Sequence, residues 1–258
     1  MKKIIILILS TRNINYNPFI IALRETWVKK AKAKSIDCFF YEGGYNESYI
    51  DGDTIKLRGS DNLNSTSEKL INAIKMLNKN QIEFDFIYRT NLSSYIIIDN
   101  LLTYFRQNVN SIVYSGYKGE YILFPKLLNR FDFLHDAYIK YIKLNIIEFA
   151  SGSGFWLSKY AVEILLSSKN KDYKLIDDVM VGKVMNDNKI KMVHCDRLIL
   201  QDDNFISSNI DICKMKANYH IRLKSFKTRD VDVNRLYKLD KIEISNNIES
   251  DFLNILND

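Results

Sequence analysis

The chain has 258 residues, enough for one large α/β domain or two small ones with a sizeable core. With 47% apolar and 26% charged residues, only 9 glycines and 2 prolines, and 16 tyrosines beside 14 phenylalanines, it is neither collagen-like, nor linker-rich, nor a disordered tail protein. The formal net charge of +6 suits an anionic ligand, a nucleic acid or a membrane surface without choosing among them, and the one dense basic run, Lys29, Lys30, Lys32 and Lys34, reads as a solvated helix face.

Lys2, Lys3 and the apolar run Ile4 to Leu9 imitate a signal peptide. The run is short, however, and Thr11, Arg12 and Asn13 follow without a small-residue cleavage site, so residues 3–9 are expected to form a buried first strand. A helix is predicted from about Pro18 to Lys34, capped by Asn17, with Phe19, Leu23 and Trp27 on one face. Asp37–Tyr41 and Thr54–Leu57 read as strands two and three. Ser65 and Glu68 form a capping box that opens a second helix, with Ile71, Ile74 and Leu77 on its buried face. Phe84–Tyr88 is the fourth strand, Ile96–Phe105 a third helix and Ile112–Tyr114 the fifth strand.

The second half is less regular. A strand with a glycine-rich centre is expected over Phe149–Leu157, and helices over Lys159–Ser167 and about Asp178–Met185. Strands near Lys191–His194 and Tyr219–Leu223, a short helix near Val233–Leu239 and a C-terminal helix near Ile248–Leu256 complete the chain. Strands interleaved with helices imply an α/β fold with a mostly parallel sheet covered on both faces, and such sheets bind ligands at the carboxyl ends of their strands. The loops that begin at Ser10, Tyr41 and Arg89 are therefore the candidate ligand-binding edge. No stretch approaches the ~20 apolar residues of a membrane span.

Several chemistries lack their residues. The turn after strand one, Ser10-Thr11-Arg12-Asn13, has no glycine, so neither a dinucleotide fingerprint nor a nucleotidyltransferase loop is present, and no phosphate loop occurs elsewhere. His135, His194 and His220 are far apart, and Cys38, Cys195 and Cys213 form no Cys-x-x-Cys pair, which argues against structural zinc and for a reducing compartment. Ser151-Gly152-Ser153-Gly154 imitates a nucleophile elbow, but Phe155, Trp156 and Leu157 continue the strand where an elbow would turn into a helix. No helix-turn-helix, finger or aromatic RNA-binding pattern accompanies the charge, so no nucleic-acid partner is expected. What remains is Asp177-Asp178-Val179 at a helix start. One reading is capping, with Asp177 at N-cap and Asp178 at N1; the other is a carboxylate held in a cleft as a general base, whose pKa the helix dipole would depress unless burial offsets it.

Three segments in order resemble the β-1,3-galactosyltransferase and Fringe group of inverting glycosyltransferases. Arg24-Glu25-Thr26-Trp27 is similar to that group's Arg-x-Thr-Trp. Ser151-Gly152-Ser153-Gly154-Phe155 resembles its glycine-rich strand, and Asp177-Asp178-Val179-Met180-Val181-Gly182 its Glu-Asp-Val-x-x-Gly. The resemblance spans residues 4–195. It implies a GT-A (Rossmann-like) fold with a smaller acceptor-side subregion, a UDP-sugar donor and a glycan or other hydroxyl acceptor. It also implies Asp178 as the base that deprotonates the acceptor, with Asp177 as its neighbour. The donor would lie over Ser10, Thr11, Arg12, Arg24, Arg89, Thr90, Asn91 and Ser93. Gly152, Ser153 and Gly154 would let a sugar approach the backbone, with Phe155 and Trp156 against the acceptor.

One departure stands out. The group's metal-binding Asp-x-Asp after strand four is replaced by Asn91-Leu92-Ser93, and the literal Asp-x-Asp at Asp51–Asp53 and Asp230–Asp232 lies away from that strand end. Neutral oxygens hold Mn²⁺ or Mg²⁺ poorly. Asn91, Ser93 and His220 would be the only ligands left for a metal, and the alternative is a cationic clamp built from Arg89, His220, Arg222, Lys224 and Arg229. The expected organisation is one domain over 1–258, with a donor half (1–115), an acceptor and catalytic half (116–230) and a helical tail (231–258). A cytoplasmic location is expected. The competing reading is a degenerate relative that only binds a glycan or a partner protein.

Overall fold

The computed structural model describes residues 2–122, 146–201, 218–225 and 229–255. β1 (Ile4–Leu9) lies inside the main sheet, and Ile5, Ile6, Leu7 and Ile8 are fully buried. Burial on both faces is why it reads as a continuous apolar run and not as an alternation. β2 (Asp37–Tyr45) and β5 (Phe86–Asn91) flank it in parallel, and β4 (Thr54–Arg58) runs parallel beyond β2. β3 (Tyr49–Asp51) closes that edge as an antiparallel hairpin with β4. On the other side β8 (Ile146–Ser158) and β7 (Tyr114–Ile122) run antiparallel, and the two-residue β9 (Val193–His194) ends the sheet. The order is β3-β4-β2-β1-β5-β8-β7-β9, and a three-stranded sheet β10-β11-β6 (Leu198–Leu200, His220–Leu223, Ser94–Ile96) sits apart from it.

Helices cover both faces. On one lie α1 (Asn17–Glu25), α2 (Trp27–Ala33), α4 (Ile98–Asn108) and α7 (Arg229–Ile255), which bury Phe19, Leu23, Trp27, Leu101, Phe105 and Leu236 together. On the other lie α3 (Thr66–Lys79), α5 (Lys159–Ser167) and α6 (Asp177–Asp187), with Ile71, Ile74, Leu77, Leu165 and Val181 in a second cluster. Each such side chain contributes about 1.5–3 kcal/mol on burial.

Local sequence signals were overruled in a few places. The helix expected over residues 18–34 breaks at Thr26 (φ −105°, ψ −115°), whose Oγ1 donates to the Ala22 carbonyl at 2.6 Å. The Ser65–Glu68 capping box does not form. Asn62 instead accepts from the Ser65 N–H at 3.0 Å, and the Ser65 hydroxyl is spent on the Ser60 and Asn62 carbonyls. Residues 94–96 pair with β11 as a strand, so α4 starts only at Ile98. The two helices expected near the C-terminus are one, α7, tied to α2 by Lys30, which reaches Asp240 at 2.7 Å and Glu243 at 3.0 Å. Cys38 and Cys195 are buried free thiols; Cys213 and His135 lie outside the described residues. Among the described residues no helix is long and apolar enough to cross a membrane.

Candidate active site

The carboxyl ends of β1, β2 and β5 open onto two adjoining cavities. The larger, about 570 Å³, is lined by Ser10, Thr11, Arg12 and Arg24, by the apolar faces of Ile20, Ile21 and Phe40, and by Glu42, Asp51 and Asp53. The smaller, about 340 Å³, shares Ser10 and Thr11 and adds Asp61, Thr66, Lys69, Asn91, Ser93 and Arg229. Asp61 organises the rim between them. It accepts from Thr11 Oγ1 (2.6 Å), Arg12 N (2.7 Å), Lys69 Nζ (2.9 Å) and Gly43 N (3.0 Å). Burial opposes its charge, but these four donors outweigh burial and hold its carboxyl below the ordinary value.

Behind the smaller cavity lies a buried acid–base cluster. Asp177 and Asp178 are the first two residues of α6, with Ile176 at N-cap, one position off the expected frame. Neither caps the helix in the usual way, and both point into the protein, 4% and 8% exposed. Asp177 is ion-paired with Arg89, itself 1% exposed, and Arg89 Nε donates to the Tyr41 hydroxyl at 3.1 Å. The contact is an ion pair through Arg89 Nη2, and Arg89 Nη1 is buried without a hydrogen-bond partner. Among the described residues no cation is in ion-pair contact with Asp178. Its Oδ2 accepts from the Gly152 N–H at 2.7 Å and its Oδ1 from the Val179 N–H at 2.9 Å. Burial and the neighbouring Asp177 charge push its carboxyl above the ordinary value, against the opposing pull of Arg89 and the two N–H groups.

Gly152 joins this cluster to the rim. Its carbonyl accepts from Asn91 Nδ2 at 3.1 Å while its N–H holds Asp178, and the Asp177 N–H donates to Thr66 Oγ1 at 3.3 Å. The aspartates therefore adjoin the smaller cavity across one peptide and one threonine without lining it. The space that Gly152 and Gly154 leave is filled by the protein itself. A Cβ at 152 would stand 2.9 Å from Asp178 Oδ2, and one at 154 would stand 2.2 Å from the Tyr88 hydroxyl and 2.7 Å from the His220 ring. These glycines make room for buried polar side chains, where the sequence reading had them admit a sugar.

The structure does not bring the expected residues together as one surface. Phe155 and Trp156 are fully buried, Trp156 donating to the Tyr219 hydroxyl at 3.1 Å, so the expected acceptor contact is corrected to a core role for both. Thr90 is buried on the Ser153 carbonyl (2.6 Å) and does not reach the rim. Arg24 grips Asp53 (2.6 Å) at the edge of the larger cavity, Thr26 breaks the helix, and Trp27 is buried with its Nε1 on the Ser94 carbonyl (3.0 Å), so most of that motif is architectural. His220 is buried on Ser94 Oγ (3.1 Å); burial, then Arg197 and Arg222, lower its pKa to about 3 and keep it neutral. Lys224 is exposed beyond the end of β11, so the expected clamp of His220, Arg222 and Lys224 is not one.

The Asp-x-Asp position does not suit a dication. Asn91 Oδ1 already accepts from the Ser93 N–H (3.0 Å) and Ser94 Oγ (3.3 Å), and Ser93 Oγ accepts from the Arg229 guanidinium. A cation thus stands beside neutral oxygens, where Mn²⁺ or Mg²⁺ would need compensating negative charge. Among the described residues no three His, Cys, Asp or Glu side chains converge as a metal-binding group. The participants that escaped the sequence reading include Lys69 of α3, as well as Asp61 and Arg197. Asp61 follows the strand-three region within a Ser-Asp-Asn turn, a weak signal that was available. Arg197, whose Nη1 binds Ser151 Oγ (2.7 Å) and Ser153 Oγ, carries no local signal.

Comparison with known proteins supplies the remaining findings. A family model described as Galactosyltransferase matches residues 21–196. No curated protein matches the sequence significantly. Among solved structures, a glycosyltransferase involved in the glycosylation of the major capsid of PBCV-1 is similar in fold at 8% identity and a TM-score of 0.52, over 91% of this chain and 98% of that one. HddC from Yersinia pseudotuberculosis, complexed with GMP-PN, matches at 12% identity and a TM-score of 0.36, over 66% of this chain and 81% of that one.

Proposed function

The chain belongs to the Galactosyltransferase family and is a glycosyltransferase, and from that premise we propose that it transfers a sugar from a nucleoside-diphosphate sugar, a UDP-sugar by preference, with inversion and with Asp178 as base. The observation that carries this reading is the Gly152 peptide, bound to Asn91 of the donor rim through its carbonyl and to Asp178 through its N–H. The base and the donor edge are thereby held in a fixed relation. Of the two aspartates, Asp177 is committed to Arg89, which leaves Asp178 as the carboxylate with proton-accepting capacity.

The larger cavity, with apolar walls and mixed charges, suits a nucleoside. The smaller, where Lys69 is paired with Asp61 and Arg229 with Asp232 and each keeps further donors, suits a diphosphate. Asp178 takes the proton of the acceptor hydroxyl as that oxygen attacks the anomeric carbon. The bond from that carbon to the diphosphate oxygen breaks on the opposite side, and the electron pair leaves with the diphosphate, whose charge Arg229 stabilises. Incubation with a panel of nucleotide sugars, with the released nucleoside diphosphate followed by NMR, tests the reading; no release from any donor counts against it.

Two further results are expected. The raised carboxyl of Asp178 means that its ionised form is lost at a higher pH than for a free aspartate. The acid limb of kcat should therefore lie above the ordinary carboxylate range, and a limb at or below it contradicts the assignment. UDP should also raise the melting temperature equally with Mn²⁺ and with EDTA. Arg229→Ala should weaken UDP binding by about tenfold or more, the loss expected for a charge-assisted contact. A shift seen only with metal would show that the guanidinium does not replace it.

A further inference from the structure

Among the described residues no carboxylate is in contact with the guanidinium groups of Arg197 and Arg222. Arg197 precedes β10, lies over the Tyr117 ring at 4.1 Å, and is fixed through Nη1 by the hydroxyls of Ser151 and Ser153, the two neighbours of Gly152. Arg222 projects from β11, opposite Ser94, and its side chain makes no hydrogen bond among the described residues. The Nε of each is buried and unpartnered, a costly arrangement for a donor that water could otherwise satisfy. Burial comes first in lowering the proton affinity of both. Arg222 lowers that of Arg197 further, Arg229 that of Arg222, and the Asp178 charge opposes the fall at each. Arg222 stands opposite Ser94, whose hydroxyl donates to the Ser153 carbonyl at 3.0 Å, and Arg197 is held by the Ser151 and Ser153 hydroxyls, so two half-buried cations without a carboxylate partner among the described residues gather at one segment and suit an oxyanion.

In-line inversion says which substrate brings that oxyanion. The base and the leaving diphosphate sit on opposite faces of the transferred sugar, so a guanidinium fixed by Ser151 and Ser153, on either side of the Gly152 peptide that holds Asp178, falls on the acceptor side, and Lys69 and Arg229, which line the smaller cavity, on the donor side. Resting on the transfer reading above, we infer that Arg197 and Arg222 form an acceptor subsite for a negatively charged group, so that the acceptor is an acidic saccharide bearing a carboxylate or a phosphate near its reacting hydroxyl. Ser151 and Ser153 hold Arg197 in place through Nη1, Nη2 is the donor left for the anion, and Arg222 adds the second charge.

The test is binding to the full-length protein saturated with UDP, by calorimetry, of glucuronate, glucose 6-phosphate and glucose. The two anions should bind at least about tenfold tighter than glucose, the ratio of glucuronate to glucose 6-phosphate telling carboxylate from phosphate. Arg197→Ala should remove that preference while leaving UDP affinity unchanged. Arg197→Lys, which keeps the charge and loses the fork, should retain part of it and guards against a folding defect, checked by melting temperature. Equal binding of anions and glucose, or loss of UDP affinity in Arg197→Ala, overturns the inference, the latter assigning the pair to the donor diphosphate. Failure of UDP to bind the unaltered protein strikes instead at the transfer reading, so the two are told apart.

Discussion

Asp178→Asn should lower turnover by about 10²–10⁴-fold, the range in which a positioned general base contributes, with nucleotide affinity unchanged. The substitution is nearly isosteric. The amide oxygen of Asn can accept from either Gly152 N–H or Val179 N–H but not from both, so a small loss of melting temperature accompanies the kinetic effect. The measurement is kcat at saturating donor, paired with UDP binding by calorimetry. Asp177→Asn provides the contrast: it disturbs the ion pair with Arg89 and should act mainly through stability. Turnover undiminished in Asp178→Asn would remove the base from this site altogether.

Arg89→Met should destabilise the protein by about 3–5 kcal/mol, the cost of leaving one member of a buried pair as an uncompensated charge. At this chain length that corresponds to a fall in melting temperature of the order of 10 °C. Arg89 and Asp177 are almost sealed from solvent, and Tyr41 is fully buried with its hydroxyl as the only other group bonded to Arg89 among the described residues. The double variant Arg89→Met with Asp177→Asn should recover a large part of the loss, because the stranded carboxylate is then gone. A catalytic consequence has the same origin. Arg89 holds the Asp178 carboxyl down, so its removal should move the acid limb of kcat to still higher pH. An unaltered melting temperature in the single variant would show that water or a rearranged side chain satisfies Asp177.

The PBCV-1 capsid glycosyltransferase shares the fold at an identity too low to carry residue roles across, so the site rests on the geometry of this chain. That geometry separates the two acids of one motif: Asp177 is ion-paired with Arg89, and Asp178 accepts from the Gly152 and Val179 N–H groups. A second division falls at Asn91-Leu92-Ser93, where Asn91 connects the rim to Gly152 and Arg229 brings the positive charge.

By itself the sequence determined the α/β architecture, because patterns that depend on burial are local. Ile4 to Leu9, a short apolar run with no cleavage site after it, reads as a strand covered on both faces, and the spacing of Phe19, Leu23 and Trp27, or of Ile71, Ile74 and Leu77, marks helix faces whatever covers them. It also isolated Asp177 and Asp178, since two acids opening a helix have a short list of uses. What stands opposite each was decided by tertiary structure. Whether a carboxylate caps, pairs or accepts a proton depends on what stands opposite, and Arg89 and Gly152 are distant in sequence from both. The same holds for Phe155 and Trp156, whose aromatic character suits a sugar face and a core equally until burial settles it, and for Arg197, which gains meaning only from Ser151, Ser153 and Tyr117 brought to it by other strands. Periodicity is written along the chain, whereas charge pairing is a property of neighbours in space, and only the fold supplies those.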